Sequence, residues 1–366
     1  MEKVKKLLNH IFIDGLSGMA LGLFATLIVG TIIKQLGALI GGEIGNTLTT
    51  LGTVASVLTG AGIGCGVAYK FKESPLVVLS AATAGMVGAY ASKIIGGSLI
   101  VNGVVSSSGA IIEGSAVALG GPGEPLGAFI AAYIGIEVGH LVSGKTKIDI
   151  LVTPLCSILS GSIVGLIVGP PISAFMAGLG NLIEIGTEQQ PFIMGIIVSV
   201  LMGMFLTLPI SSAAIGLVLG LSGLPAGAAT VGCCANMVGF AVASYRENKV
   251  GGLLAQGVGT SMLQVPNIVK KPVIWLPAII TSAILGPLST MVFKMTNNAA
   301  GSGMGTAGFV GQIMTYQTMV GAESASVVLI KIALMHFILP TILTLLISEF
   351  MRKKGYIKFG DMKLDV

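Results

Sequence analysis

Charge is scarce in this chain: only 10% of its residues are Asp, Glu, Lys or Arg, against about 25% in ordinary soluble domains. With 53% of residues hydrophobic, the sequence excludes a free soluble domain and reads as one integral membrane domain over 1–366. Aromatics are thin too, at 5% with a single tryptophan, so the interfacial belts they usually build are sparse. The same shortage removes the stacking platforms of a nucleic-acid binder, and the net charge of +5 reads instead as a topology signal. The four cysteines, Cys65, Cys156, Cys233 and Cys234, all sit in apolar sequence without metal-ligand spacing. They read as small buried hydrophobes, and the adjacent pair faces different sides of a helix. His10, His140 and His336 are scattered. Hydrolytic or redox catalysis has no serine–histidine–acid spacing, phosphate loop or metal cluster to rest on, and no cofactor is implied.

Glycine is what the chain has in excess. Its 54 glycines are roughly twice the usual share, and in membranes small residues let helix backbones approach closely. Gly161, Gly165 and Gly169 fit that use, whereas the run Gly60-Ala-Gly-Ile-Gly-Cys-Gly66 is too dense for packing alone. Spanning helices need roughly 20 apolar residues. The candidates are 11–33, 47–69, 75–95, 125–143, 150–170, 191–208, 224–243, 273–295 and 326–350, with 209–222 as a short, broken addition. Residues 1–10 set Val4, Leu7 and Leu8 among Lys3, Lys5 and Lys6, the pattern of an interfacial amphipathic helix, with no cleavable signal visible. Keeping every basic cluster, from Lys3 to the tail 351–366, on one side predicts about ten crossings with both termini cytoplasmic.

Four apolar regions are interrupted by Gly, Ser, Asn or Pro: 97–124, 173–190, 251–268 and 297–322. Irregular main chain at membrane depth is tolerated only where it is buried in protein or lines a wet cavity. At least two of these regions are therefore expected to be re-entrant hairpins on a substrate path.

The polar groups at these interruptions are the candidate contacts for a polar small molecule. Glu124, in Gly120-Gly-Pro-Gly-Glu-Pro-Leu126, cannot lie in regular helix and could accept from two hydroxyls; an exposed loop is the alternative. Gln264 and Asn267 flank Pro266 and offer donors and acceptors suited to polyols, or else cap a helix break. Asn236 is a ligand contact or interhelical glue. Gly301 to Gly311, with Gly303, Gly305 and Gln312, could form a main-chain cradle, or an outer loop; such a nest also attracts anions. Glu184, Glu188, Gln189 and Gln190 read as a substrate lip or as helix N-terminal charge. Glu137 and His140 share a helical face as a proton relay or a structural pair, and Lys331 reads as snorkelling. The class these residues fit is a permease; an ion-coupled transporter of a polar or anionic solute and a membrane sensor or regulator are the alternatives.

A series of motifs stands in order along the chain: Gln190-Pro-Phe-Ile-Met-Gly, Leu208-Pro-Ile-Ser-Ser-Ala-Ala, Ser244-Tyr-Arg-Glu-Asn-Lys, Gly259-Thr-Ser-Met-Leu-Gln-Val-Pro-Asn-Ile, Ser282-Ala-Ile-Leu-Gly-Pro, Gly301-Ser-Gly-Met-Gly-Thr-Ala-Gly and Arg352-Lys-Lys-Gly-Tyr-Ile-Lys-Phe-Gly-Asp. Together they resemble the sugar-permease family that includes the PfoR-type regulators, grouped with the membrane (IIC, or EIIC) components of the bacterial phosphotransferase system. The Gly-Glu-Pro triplet at Glu124 is similar to the glutamate-bearing turn of glucose-type IIC proteins. The resemblance implies an all-α fold of about ten transmembrane helices with re-entrant hairpins. It further implies a homodimer in the bacterial cell membrane, a sugar as substrate, and phosphorylation by separate IIA and IIB proteins. No IIB-type cysteine domain or IIA-type histidine domain stands in this sequence.

Overall fold

The computed structural model describes residues 10–105, 111–119, 121, 123–187, 189–210 and 212–364. The amphipathic stretch 1–9, Glu188 and the side chain of Glu184 lie outside them. The architecture is that of an all-α membrane protein. Among the described residues six of the expected spans form helices apolar and long enough to cross a membrane: His10–Ala38, Pro125–Val142, Asp149–Ile172, Gly223–Ala243, Pro272–Val292 and Ala325–Lys353. Gly42–Val57 and Thr59–Lys70 form a further pair bent by 52°. Pro75–Ala89 and Pro191–Thr207 are shorter apolar helices. Proline opens several of these helices, at Pro75, Pro125 and Pro191, where its missing N–H has no partner to lose.

Two of the four interrupted regions form a strand pair and a continuous helix, and the segment 209–222 forms a short helix. Region 97–124 contains an antiparallel pair of strands, Ile100–Val105 and Ile111–Val117, with Ile100 opposite Val117 and a bulge between Asn102 and Val104. Region 173–187 is not a hairpin, because the helix Asp149–Thr187 runs on for 39 residues through Pro154, Pro170 and Pro171. Proline is tolerated in such helices where neighbouring groups satisfy the freed carbonyls. The short segment 209–222 forms only the seven-residue helix Ser212–Val218, about 10 Å long at 1.5 Å per residue, too short to cross a membrane alone.

The chain divides into two compact units. One comprises Gly18–Gly30 and Thr50–Phe175, and its packing is dominated by glycine. A Cβ on Gly22 would collide with the main chain of Gly62, and Gly18 and Gly66, Gly64 and Ala81, and Gly88 and Gly127 meet in the same way. The small-residue pattern read from the sequence is thus used for backbone contact, including Gly161 against the Ala131 carbonyl.

The other unit comprises Met1–Ser17, Thr31–Thr49 and Met176–Val366. Its axis is the helix Gly223–Ala243, in which nearly every residue is buried. Pro191–Thr207 packs on it through Gly232, whose missing side chain admits the main chain of Ser199, while Gly195 and Gly286 meet across a second helix pair. Three apolar clusters surround this axis, centred on Val198, Met202 and Met237, on Phe240, Ile274 and Trp275, and on Leu285, Met295 and Met335.

Candidate functional site

Two main-chain breaks in the larger unit are largely buried. In the first, the helix Tyr245–Leu254 passes into a π-turn at Ala255–Gly259, Thr260 is extended, and a 3-10 turn covers Ser261–Gln264. Thr260 caps that turn, its hydroxyl accepting from the Met262 N–H at 3.1 Å. Gln256, Gln264 and Asn267 then form a chain of amides. Gln264 donates to Gln256 Oε1 at 2.8 Å and to the Met362 carbonyl at 2.9 Å. Asn267 donates to Gln264 Oε1 at 2.9 Å and to the Lys363 carbonyl at 2.8 Å. The two amides singled out in the sequence are therefore adjacent, and in this conformation their N–H groups are taken up by each other's chain of amides and by the C-terminal residues. Asn248 completes the dock, donating to the Met362 carbonyl and accepting from the Leu364 N–H. Sequence reasoning misses Gln256, whose only signal is its polarity within an apolar, glycine-rich run.

Asn236 lies midway along the buried axis and is fully used. Its Oδ1 accepts from Trp275 Nε1 at 2.8 Å and from Thr207 Oγ1 at 3.2 Å. Its Nδ2 donates to the Gly232 carbonyl at 3.1 Å and to Ser282 Oγ at 3.2 Å. Thr207 in turn lies 2.9 Å from Ser261 Oγ, which joins this node to the first break. Neighbouring helices meet on one amide, the arrangement expected of interhelical glue.

The second break covers the glycine-rich run. Asn298 caps the short helix Ala299–Ser302 by accepting from the Gly301 N–H at 3.0 Å. Gly303 lies against the main chain of Ser212, whose hydroxyl donates to the Gly303 carbonyl at 2.7 Å. Gly305, at φ +51, lies on Cys233, where a Cβ would come within 2.8 Å. Gly308 and Phe309 are also left-handed, and the helix Val310–Met319 starts only after them. Gln312 follows, buried, with its Nε2 3.4 Å from Cys234 Sγ and 3.1 Å from His336 Nδ1. Cys233 instead faces the Met202 carbonyl at 3.4 Å, so the two cysteines do point apart. The sequence assigns His336 no part in a site; its signal is a lone imidazole inside an apolar span.

In the smaller unit Glu124 stands just ahead of Pro125–Val142 and caps that helix, accepting from the Leu126 N–H at 3.4 Å. Its own N–H donates to the Ala89 carbonyl at 2.8 Å. Burial pushes its carboxyl up from 4.5 to about 7, against the lowering effect of the Leu126 bond. His140 lies 3.0 Å from Glu73, which stands in the turn just ahead of Pro75, a pairing that the shared helical face with Glu137 could not reveal. Lys331, in the larger unit, is paired with Glu323 at 2.6 Å. Gln189 is exposed and donates to the Ile185 carbonyl at 3.3 Å.

The match to known proteins is decisive for the family. The family model described as "Phosphotransferase system, EIIC" covers residues 13–364. The chain belongs to that family. It is accordingly a multi-pass membrane protein of the sugar-permease class within the phosphotransferase system. No curated protein matches it.

Proposed function

We propose that this EIIC protein binds and translocates a sugar or related polar small molecule across the bacterial cell membrane, as a homodimer with both termini cytoplasmic. Separate IIA and IIB proteins would supply the phosphoryl group. The observation that carries the reading is the family match over 13–364, joined to two buried breaks rich in amides and hydroxyls. Membrane transporters bind their substrates at such breaks. Gln264, Asn267, Asn236, Gln312, Gly303 and Gly305 in the larger unit, and separately Glu124 in the smaller one, are the proposed substrate contacts. For Gln264 and Asn267 this requires the C-terminal residues to release their amides, and for Asn236 it requires the loss of one of its four present partners.

Reconstitution into proteoliposomes tests the proposal. Uptake of a labelled hexose or hexitol that requires IIA, IIB and phosphoenolpyruvate supports it; concentrative uptake without them points to ion coupling instead. Glu124→Gln and Gln264→Ala are expected to weaken substrate binding while leaving the dimer folded. Wild-type affinity in both would remove these residues from the site.

A further inference from the structure

Gln312 and Thr315 on one helix, and His336, which touches the Gln312 amide, each leave a polar atom unpaired inside the larger unit. Gln312 Oε1, Thr315 Oγ1 and His336 Nε2 are all shielded from solvent and make no hydrogen bond. An amide or hydroxyl left unpaired in an apolar interior is costly, and a membrane interior offers no water to compensate. Gln312 and Thr315 are three residues apart on the helix Val310–Met319, so they share a face. His336 Nδ1 lies 3.1 Å from the Gln312 amide. Cys234, which touches that amide, is near the middle of the span Gly223–Ala243.

The backbone is unusual at the same place. His336 sits in a π-turn, Ala333–Ile338, within the last span, and such turns often mark functional positions. Gln312 closely follows the left-handed Gly308 and Phe309. Irregular backbone on both sides thus presents unpaired polar atoms at mid-span.

The unpaired atoms also define a ligand chemistry. The Gln312 amide nitrogen faces His336 Nδ1, so Nδ1 accepts and Nε2 carries the proton. The cluster then offers one donor at His336 Nε2, one acceptor at Gln312 Oε1, and a hydroxyl that is both. Turning the amide over exchanges the roles of Gln312 and His336 but preserves one donor and one acceptor. An anion would need donors only, and a cation acceptors only. We infer that Gln312, Thr315 and His336 form a mid-span contact for neighbouring hydroxyls of a neutral ligand, with Thr315 and His336 as contacts additional to Gln312. This inference rests on the permease reading.

The test uses the full-length protein in detergent, with thermal shift and calorimetric titration against glucose, galactose, mannitol, sorbitol and inorganic phosphate. Thr315→Val is the informative variant, because it removes an unpaired hydroxyl at nearly constant volume and should fold at least as well as the wild type. It is expected to weaken binding of the stabilising sugar or hexitol by about tenfold, the worth of one hydrogen bond. His336→Phe is expected to weaken it further. Unchanged affinity in Thr315→Val and His336→Phe overturns this inference and leaves the permease reading intact. A wild-type response to phosphate alone overturns the neutral-ligand assignment, and no wild-type response to any of the five compounds overturns both.

Discussion

Arg352 donates to Glu247 at 2.8 Å, and the two side chains are only 8% and 0% exposed. The pair ties the end of the last helix, Leu339–Lys353, to the helix Tyr245–Leu254 that leads into the first break. Arg352 also donates to the Ala243 carbonyl at 3.0 Å, and the Gly360 N–H reaches Glu247 at 3.3 Å. Lys271 and Asp361, 2.6 Å apart, hold the same C-terminal residues from the other side.

Removing one member of a buried pair strands the other charge. Glu247→Ala is therefore expected to cost about 3–5 kcal/mol, read as a lower thermal midpoint in detergent. The double variant Glu247→Leu with Arg352→Met should recover most of that loss, since no unpaired charge remains. A single variant as stable as the wild type would show that the pair is open to water.

The sole tryptophan offers a local reporter. Trp275 Nε1 donates to Asn236 Oδ1 at 2.8 Å. Asn236→Leu should leave the indole N–H without its acceptor, cost about 1–3 kcal/mol, and shift the emission spectrum of the only indole in the chain. An unchanged spectrum would mean that Trp275 does not use Asn236.

The helices were legible because a run of apolar residues long enough to cross a membrane has few other folds open to it. The stretch 125–143 is the helix Pro125–Val142, and 224–243 is Gly223–Ala243. What escaped was long-range or depended on small balances. His140 finds Glu73 at a sequence separation of 67, and Gln264 finds Met362 at 98; no local pattern encodes either. Pro170 and Pro171 signal an end that the helix Asp149–Thr187 does not obey. The amide at Gln312 was legible as a polar group in a break, but its neighbour His336 comes from a different span.

Glycine contacts give a further stability test with its own control. Gly232 faces the main chain of Ser199 with no room for a Cβ, whereas Gly251 has nothing within 4 Å of that position. Gly232→Ala should lower the thermal midpoint by forcing two helices apart, at about 1–3 kcal/mol. Gly251→Ala, in a helix and exposed, should gain about 0.5–1 kcal/mol. Equal effects at the two positions would contradict the packing described here.

Glu124 predicts a dependence on pH. Its carboxyl is raised from 4.5 to about 7 by burial, so between those values the folded state holds a proton that the unfolded state has lost. Stability should then be fullest below pH 4.5 and decline as pH rises through about 7, the direction fixed by the extra proton bound in the fold. Glu124→Gln cannot titrate and should flatten this part of the profile. The measurement is the thermal midpoint of both proteins in detergent across that range. A wild-type profile that rises with pH, or one that Glu124→Gln leaves unchanged, would mean that Glu124 is ionised and solvated at neutral pH.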